Sequence, residues 1–215
     1  MPVLTNETVR VYDEAAPTIA RHMSTIGSRL PQIEHAFALA GNPVQPFVVE
    51  IGCGDGRDAV DITKLTSWYE GFDPSAGLIE LARQRNIGTG ARFVVKSALD
   101  FHWGTGGGID VIFAFASLLH LDRSELKALF ERVAPALSAN GVIYMTLKEA
   151  DQYEQRVYDD DFELPDGSHV IGHRVFYYYT QDEVLNLAKG VLEPVFVSNA
   201  AINGIPWLTM AFKRA

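Results

Sequence analysis

Residues 47–61 read FVVEIGCGDGRDAVD, and this stretch decides the fold. The apolar run at 47–49 has the length and β-branched character of a buried strand. It ends at an acid, Glu50, and three glycines follow at alternate positions, Gly52, Gly54 and Gly56. Glycine adopts positive φ without strain and lets a ligand approach the backbone closely. The stretch therefore predicts a strand, a ligand-binding turn and a helix whose first N–H groups are free.

The chain on either side repeats this alternation. Strands are predicted at 46–51, 68–72, 91–96, 110–116 and 142–148, with helices at 57–65, 74–85 and 122–139. Strand and helix in alternation indicate a parallel sheet covered by helices. Two final strands, at 191–198 and 207–213, have no long helix between them, so they form a hairpin that adds an antiparallel strand.

Helices also precede the first strand. They are predicted at 7–23, with a break before Pro17, and at 24–40. We therefore expect one domain, with residues 1–45 as a helical cap on a core at 46–215. Residues 149–175 are polar and predict a loop or a partial hairpin. Thr180 and Glu183 have the spacing of a capping box that begins another helix.

Composition narrows the possible partners and the location. The 215 residues carry a net charge of −9, which disfavours nucleic acid as a partner because the phosphate backbone is itself negative. No apolar run approaches the roughly 18 residues that a membrane span needs. The first residues lack a basic segment followed by an apolar one, so we expect no signal peptide and a cytoplasmic protein. One cysteine, Cys53, excludes an intrachain disulfide, and no metal site is predicted.

The spacing of the glycines favours one ligand class. A dinucleotide loop has the pattern G-x-G-x-x-G, and here its third glycine position is Arg57. Glu50 would repel a pyrophosphate, but it can accept hydrogen bonds from a cationic or hydroxylated ligand. S-adenosylmethionine carries an ammonium, a sulfonium and a ribose diol, and no phosphate. The loop therefore favours this cofactor, with a nicotinamide oxidoreductase as the alternative.

Four segments together resemble the class I S-adenosylmethionine-dependent methyltransferases. EIGCGDG at 50–56 resembles their motif I, and GFDPS at 71–75 resembles the motif whose acid, here Asp73, binds the ribose hydroxyls. FASLLHL at 115–121 resembles the segment that lines cofactor and substrate, and the terminal PWLTMAFKRA resembles the last strand. The resemblance covers residue 46 to the end. It implies a Rossmann-like α/β fold, a seven-stranded mixed sheet of order 3-2-1-4-5-7-6 with strand seven antiparallel and helices on both faces.

The resemblance also implies the site. The residues it places at the cofactor are Tyr12, Glu50, Gly52, Gly54, Gly56, Asp73, Pro74, Ser97, Ala98, Asp100 and Ala116. One position departs from the family pattern, since Ser97 stands where an acid often brackets the adenine, and Asp100 lies three residues on. The Ala98 amide is the expected adenine contact, with Ser97 or Asp100 beside it.

Methyl transfer from a sulfonium needs mainly positioning, and a base is needed only if the acceptor must lose a proton. His120 is the candidate base, and a structural histidine bonded to a backbone carbonyl is the alternative reading. The segment after the fourth strand lacks the motif of DNA amino-methyltransferases, so a small molecule bound beneath the N-terminal helices and residues 149–175 is the expected acceptor. A non-catalytic S-adenosylmethionine-binding domain is a further alternative, and we expect a monomer or homodimer.

Overall fold

The computed structural model describes residues 3–104 and 106–215. Its helices are α1 (Val3–Glu14), α2 (Ala16–Met23), α3 (Leu30–Leu39), α4 (Ala59–Ile62), α5 (Ala76–Arg85), α6 (Arg123–Val133) and α7 (Gln181–Ala188). Its strands are β1 (Phe47–Ile51), β2 (Trp68–Asp73), β3 (Arg92–Val95), β4 (Ile109–Phe115), β5 (Leu137–Lys148), β6 (Glu154–Glu163), β7 (His169–Tyr178), β8 (Leu192–Ile202) and β9 (Ile205–Arg214). No helix in the described ranges is both long enough and apolar enough to span a bilayer.

Seven strands form one sheet in the order β3-β2-β1-β4-β5-β9-β8. The first five strands in this order are parallel to one another, while β9 is antiparallel to both β5 and β8. The predicted fold class and sheet order are therefore confirmed, with β8 and β9 as the predicted strands six and seven. The final hairpin turns at Asn203 and Gly204, which both have positive φ. Apolar side chains from both faces of the sheet pack against the helices.

Residues 149–175 differ from their prediction as a loop or partial hairpin. Strands β6 and β7 pair along their whole length, from Glu154 opposite Tyr178 to Glu163 opposite His169, and form a separate two-stranded sheet. The polar composition concealed this hairpin because one of its faces is exposed. Alternate residues on the other face, such as Val170 and Phe176, are buried.

Three predicted helices are too long. The helix predicted at 57–65 covers only Ala59–Ile62. The helix at 122–139 ends at Val133, and β5 already begins at Leu137. Pro135 explains this end, because proline has no N–H to donate and its ring clashes with the preceding helical turn. The helix predicted at 24–40 begins only at Leu30, with Pro31 in its first turn. Residues 24–29 instead connect α2 to α3, close to the glycine loop.

The N-terminal helices are fixed to the β6–β7 hairpin. The Thr8 hydroxyl accepts a hydrogen bond from the Val175 amide at 3.0 Å. The Thr18 hydroxyl donates to the Glu163 carbonyl at 2.7 Å. Gly172 lets α1 lie directly on β7, since a Cβ there would be 2.5 Å from Val11 Cγ2. Helix α1 and strand β7 together therefore cover the carboxyl edge of the sheet, and we call these two elements the roof.

Candidate functional site

A cavity of about 310 Å³ lies between the carboxyl ends of the parallel strands and the roof. Its two ends differ in construction. We call the first the loop end, after the glycine loop, and define it by Gly52, Gly54, Asp73, Ser97 and Ala98. We call the second the roof end and define it by Tyr12, His120, Lys148, Arg174 and Phe176.

The glycine loop has a backbone conformation that other residues rarely adopt. Gly52, Gly54 and Gly56 have φ of 65°, 54° and 70°. A Cβ on Gly52 would lie 2.3 Å from Ser117 Cβ, so this position also needs the space. Gly52 and Gly54 line the cavity, as expected. Gly56 does not, because it packs instead against α5, where a Cβ would lie 2.5 Å from Asn86 Nδ2.

Asp73 ends β2 and lies in the cavity wall. Its Oδ2 accepts from the Gly54 amide at 3.1 Å, and its Oδ1 accepts from the Ser75 amide at 2.9 Å. Burial raises the pKa of Asp73 to about 6, against the lowering effect of these two amides. Each carboxylate oxygen keeps a further lone pair, so the group can still accept hydrogen bonds from hydroxyls in the cavity.

The other acid of the loop, Glu50, lies behind it. Glu50 is almost completely buried, does not line the cavity, and accepts a hydrogen bond from the Tyr69 hydroxyl. Burial raises the pKa of Glu50, and the neighbouring Asp58 carboxylate acts in the same direction. The structure therefore places Glu50 as a support between β1 and β2, and not in contact with the cavity.

The predicted adenine contacts separate into two groups. Ser97 and Ala98 line the cavity next to Pro74 and Phe72. Asp100 is exposed and outside the lining, and its carboxylate accepts a hydrogen bond from the Ser97 hydroxyl at 2.7 Å. The Asp100 amide in turn donates to Ser97 Oγ at 3.1 Å, which closes a tight turn after β3. Asp100 therefore holds the shape of the turn from outside.

Ala116 lines the cavity just after β4 and has a left-handed backbone with φ of 53°. This conformation costs a residue with a Cβ roughly 1–2 kcal/mol. The Ala116 amide donates to Thr146 Oγ1 at 2.8 Å, which ties it to β5. The turn it makes carries the chain to Ser117, whose hydroxyl donates to the Ile51 carbonyl at 2.7 Å.

A hydrogen-bonded chain crosses the roof end. His120 Nδ1 lies 2.6 Å from the Val175 carbonyl, which can only accept, so Nδ1 carries the proton and Nε2 has the lone pair. The Tyr12 hydroxyl is 3.1 Å from that Nε2 and donates to it. Arg174 Nη1 donates to the same hydroxyl at 3.0 Å. Arg174 also makes a bidentate ion pair with Asp160, at 2.7 and 3.0 Å.

This network keeps His120 neutral. Burial lowers the pKa of His120 to about 4, and the cations Arg174 and Lys148 add to the shift. The imidazole is therefore uncharged at neutral pH, with its lone pair engaged by Tyr12. A base with so low a pKa takes a proton weakly. The sequence analysis gave two alternatives for His120, a base or a structural histidine bonded to a backbone carbonyl. The hydrogen bond to the Val175 carbonyl corresponds to the second alternative.

Lys148 and Arg174 are cavity residues that the sequence did not nominate. Lys148 ends β5, and its Nζ lies 4.0 Å from the centre of the Phe176 ring. A signal for Arg174 was present in the segment RVFYY, since alternate residues of a strand share a face and Phe176 is two positions on. Without the hairpin, that face could not be assigned to the cavity.

The residues of the loop end suit the cofactor that the glycine spacing favoured. Asp73 is a buried acid, and no basic side chain is among the groups that shift its pKa. Such an acid can accept hydrogen bonds from a ribose diol, whereas it would repel a pyrophosphate. The space beside Phe72, Ser97 and Ala98 can take a flat base. The acceptor and the space for a base at the loop end therefore fit S-adenosylmethionine.

Comparison with known proteins agrees with this fit. Residues 48–141 match the family model described as a methyltransferase domain, and no curated protein matches the chain. An S-adenosylmethionine-dependent methyltransferase from Clostridium acetobutylicum has a TM-score of 0.73 at 14% identity, over 98% of both chains. The 1,6-didemethyltoxoflavin-N1-methyltransferase of Burkholderia thailandensis, solved with 1,6-didemethyltoxoflavin and S-adenosylhomocysteine, has a TM-score of 0.69 at 19% identity, over 96% of this chain and 88% of that one. The CcbJ methyltransferase of Streptomyces caelestis has a TM-score of 0.70 at 15% identity, over 88% and 91%.

At such identities the solved structures show the fold, and the family match adds that its central part is a methyltransferase domain. Fold, family match and loop chemistry agree with one another and with the resemblance found in the sequence. Residues 48–141 are a methyltransferase domain, and S-adenosylmethionine is its cofactor.

Proposed function

We propose that this enzyme methylates a small-molecule acceptor, held at the roof end of the cavity, by in-line displacement. When bound, S-adenosylmethionine supplies an activated methyl group on a sulfonium leaving group. The protein's part is to orient the acceptor and exclude water, which can contribute about 7–11 kcal/mol to a bimolecular displacement.

The observation that carries this proposal is the enclosure of the roof end. Tyr12 from α1 and Arg174 from β7 hydrogen-bond to each other above His120, which follows β4. Thr8 and Thr18 fix the same helices to the hairpin. A polymer would need an open groove beside the methyl donor, whereas these contacts close the cavity above it. In this arrangement α1 and α2 act as the cap, whereas α3 packs against the sheet as part of the core.

The proposed cofactor contacts follow from the loop end. Asp73 accepts hydrogen bonds from the ribose hydroxyls, using the lone pairs that the amides of Gly54 and Ser75 leave free. Ser97 and Ala98 border the base, and Gly52 and Gly54 keep the loop clear of side chains. Glu50, Gly56 and Asp100 act from outside the cavity by fixing the loop and the turn after β3.

At the roof end, His120 orients rather than deprotonates. Its pKa of about 4 makes it a poor base near neutral pH. Its lone pair holds the Tyr12 hydroxyl, and its N–H holds the hairpin through Val175. The acceptor is therefore expected to present an atom that is already nucleophilic, or one that loses its proton without help from His120.

A methyl-transfer screen tests this proposal. The protein is incubated with S-adenosylmethionine labelled in the methyl group and, separately, with a metabolite library, a protein extract and nucleic acid. We expect label in a small-molecule product, and much less of it with Asp73→Asn at subsaturating S-adenosylmethionine. Label found solely in protein or nucleic acid would refute the small-molecule acceptor.

A further inference from the structure

Lys148 is a roof-end cation that lies among aromatic rings. Its Nζ contacts the aromatic rings of Phe176, Tyr158 and Tyr178, at 4.0, 5.2 and 5.2 Å from their centres. Among the described residues, no carboxylate forms an ion pair or hydrogen bond with it. Lys148 is half-buried, and withdrawing a charge from water is unfavourable unless the charge is paired, so this ammonium suits an anion that enters the cavity.

The other charges near this lysine are already balanced. Arg174 is paired with Asp160 by two hydrogen bonds, and Arg156 with Glu154. His120 is neutral. Burial lowers the pKa of Lys148, with Arg174 and Arg156 acting in the same direction, so a bound anion would relieve an unfavourable local field. The Glu125 carboxylate also lines the cavity, and it accepts a hydrogen bond from the Asp122 amide at the start of α6. Among the described residues, Lys148 is therefore the roof-end cation that has no carboxylate bound to it.

From this geometry we infer that the acceptor is a small organic acid whose carboxylate binds Lys148. This inference rests on the methyltransferase function proposed above and specifies its substrate class. Aromatic rings around the ammonium favour an acid with a flat or apolar body, which can pack on Phe176 and Trp207 while its charge reaches the lysine. The anion serves to anchor the acceptor, and the methylated atom is a separate part of it.

The cofactor also carries a carboxylate, but the loop end has its own cations for it. Arg29 and Arg57 share a single carboxylate, Asp58, and all three line the cavity. Arg29 precedes the glycine loop in the sequence and Arg57 follows it directly, whereas Lys148 lies on β5 beneath the hairpin. The cofactor's carboxylate is therefore assigned to the loop end, and the acceptor's to Lys148.

Calorimetric titration of the protein saturated with S-adenosylhomocysteine tests this inference. The probes are benzoate, 4-hydroxybenzoate and indole-3-acetate, each compared with its uncharged primary amide. At least one acid is expected to bind about tenfold or more tightly than its amide, since hydrogen bonds to charged groups contribute roughly 1.5–3 kcal/mol. Lys148→Met should lose this preference and Lys148→Arg should keep most of it. Lys127→Met, on the exposed face of α6, is the matched control and should behave as the wild type.

Each result decides the matter. The inference is overturned if no acid binds better than its amide, or if the preference survives in Lys148→Met. It is also overturned if Lys148→Met weakens S-adenosylhomocysteine itself, because the lysine would then serve the cofactor. Failure of the proposed function has a different signature, namely that the wild-type protein does not bind S-adenosylhomocysteine at all.

Discussion

The loop end of the cavity is built from backbone and the roof end from side chains. At the loop end, Asp73 is held by the amides of Gly54 and Ser75, and all three lie within 23 residues of Gly52 by sequence number. At the roof end, Tyr12 reaches His120 over a separation of 108 residues and Arg174 over 162. The contacts of Asp73 require only that β1 and β2 lie side by side, whereas those of Tyr12 require the roof to be in place.

This difference predicts that substitutions at the two ends have different effects. A change at the loop end should affect folding or cofactor binding, because backbone geometry there has no spare room. A change at the roof end should affect the position of α1 or the acceptor while leaving the sheet intact. Four substitutions test this division.

Gly52→Ala should have the largest effect. The added Cβ would meet Ser117 Cβ at 2.3 Å, in a residue with φ of 65°. A left-handed backbone costs about 1–2 kcal/mol and overpacking another 1–3 kcal/mol, so the free energy of unfolding should fall by about 2–5 kcal/mol in urea denaturation. Gly88→Ala is the control, with φ of 85° and nothing within 4 Å, and should lose the backbone contribution alone. Equal losses in the two variants would show that the Ser117 contact is unimportant.

Asp73→Asn should weaken S-adenosylmethionine binding by about ten- to a hundredfold. The amide has one acceptor oxygen in place of two, and its NH₂ must face a backbone N–H that formerly donated; hydrogen bonds to a charged group contribute about 1.5–3 kcal/mol. Calorimetry with Asp100→Asn as control separates the cavity acid from the outer acid, since Asp100 bonds the Ser97 hydroxyl away from the lining. Unchanged affinity in Asp73→Asn would remove this residue from the ribose site, and weaker binding in Asp100→Asn would restore that acid to the adenine contacts.

Sequence alone could locate part of the loop end because the signals there are local. The strand, three glycines and the acid after the next strand are fixed by short spacings, and the structure places Gly52, Gly54 and Asp73 on one cavity wall. Local spacing could not tell which polar groups face inward. Glu50 and Asp100 have the right positions along the chain, yet one lies behind the loop and the other outside the turn.

The roof end was only partly predictable for a physical reason. Polar residues 149–175 predicted a loop or a partial hairpin, and the full pairing of β6 with β7 could not be derived from that composition. Arg174 and Lys148 face the cavity because the hairpin folds back beneath α1. Tyr12 and His120 could be nominated from their segments, but their hydrogen bond to one another could not.

Gly172→Ala should loosen α1 from β7, with a smaller loss of stability than Gly52→Ala. Its φ is ordinary, so the strain comes from packing: the Cβ would lie 2.5 Å from Val11 Cγ2 and 2.6 Å from Arg10 Nη2. Overpacking of this kind costs about 1–3 kcal/mol. Hydrogen exchange should accelerate in α1, while β1 and β4 keep their protection. Gly27→Ala, where nothing lies within 4 Å, is the matched control. Faster exchange throughout the sheet would mean that the roof and the core unfold as one unit.

Tyr12→Phe should have the smallest effect on stability and a distinct effect on His120. The variant removes the hydroxyl that donates to His120 Nε2 and accepts from Arg174. Arg174 keeps its two bonds to Asp160, so the loss should be about 1 kcal/mol, the contribution of a typical hydrogen bond.

The pKa of His120 gives this prediction its second measurement. A hydrogen bond donated to Nε2 stabilises the neutral ring, so removing Tyr12's hydroxyl should raise the pKa of His120 from its value of about 4. Because that pKa lies below the ordinary 6.5, the folded state binds fewer protons than the unfolded state as pH falls from 6.5 towards 4, and acid destabilises the fold. If the pKa of His120 in the variant lies nearer 6.5, the pH range over which the folded and unfolded states differ in bound protons is smaller. Tyr12→Phe should therefore lose less stability than the wild type as the pH falls from 6.5 towards 4. NMR titration of the imidazole carbon signals measures the pKa directly, with exposed His173 as the internal control. An unchanged pKa for His120 would show that Tyr12 does not donate to it, and that burial alone keeps the ring neutral.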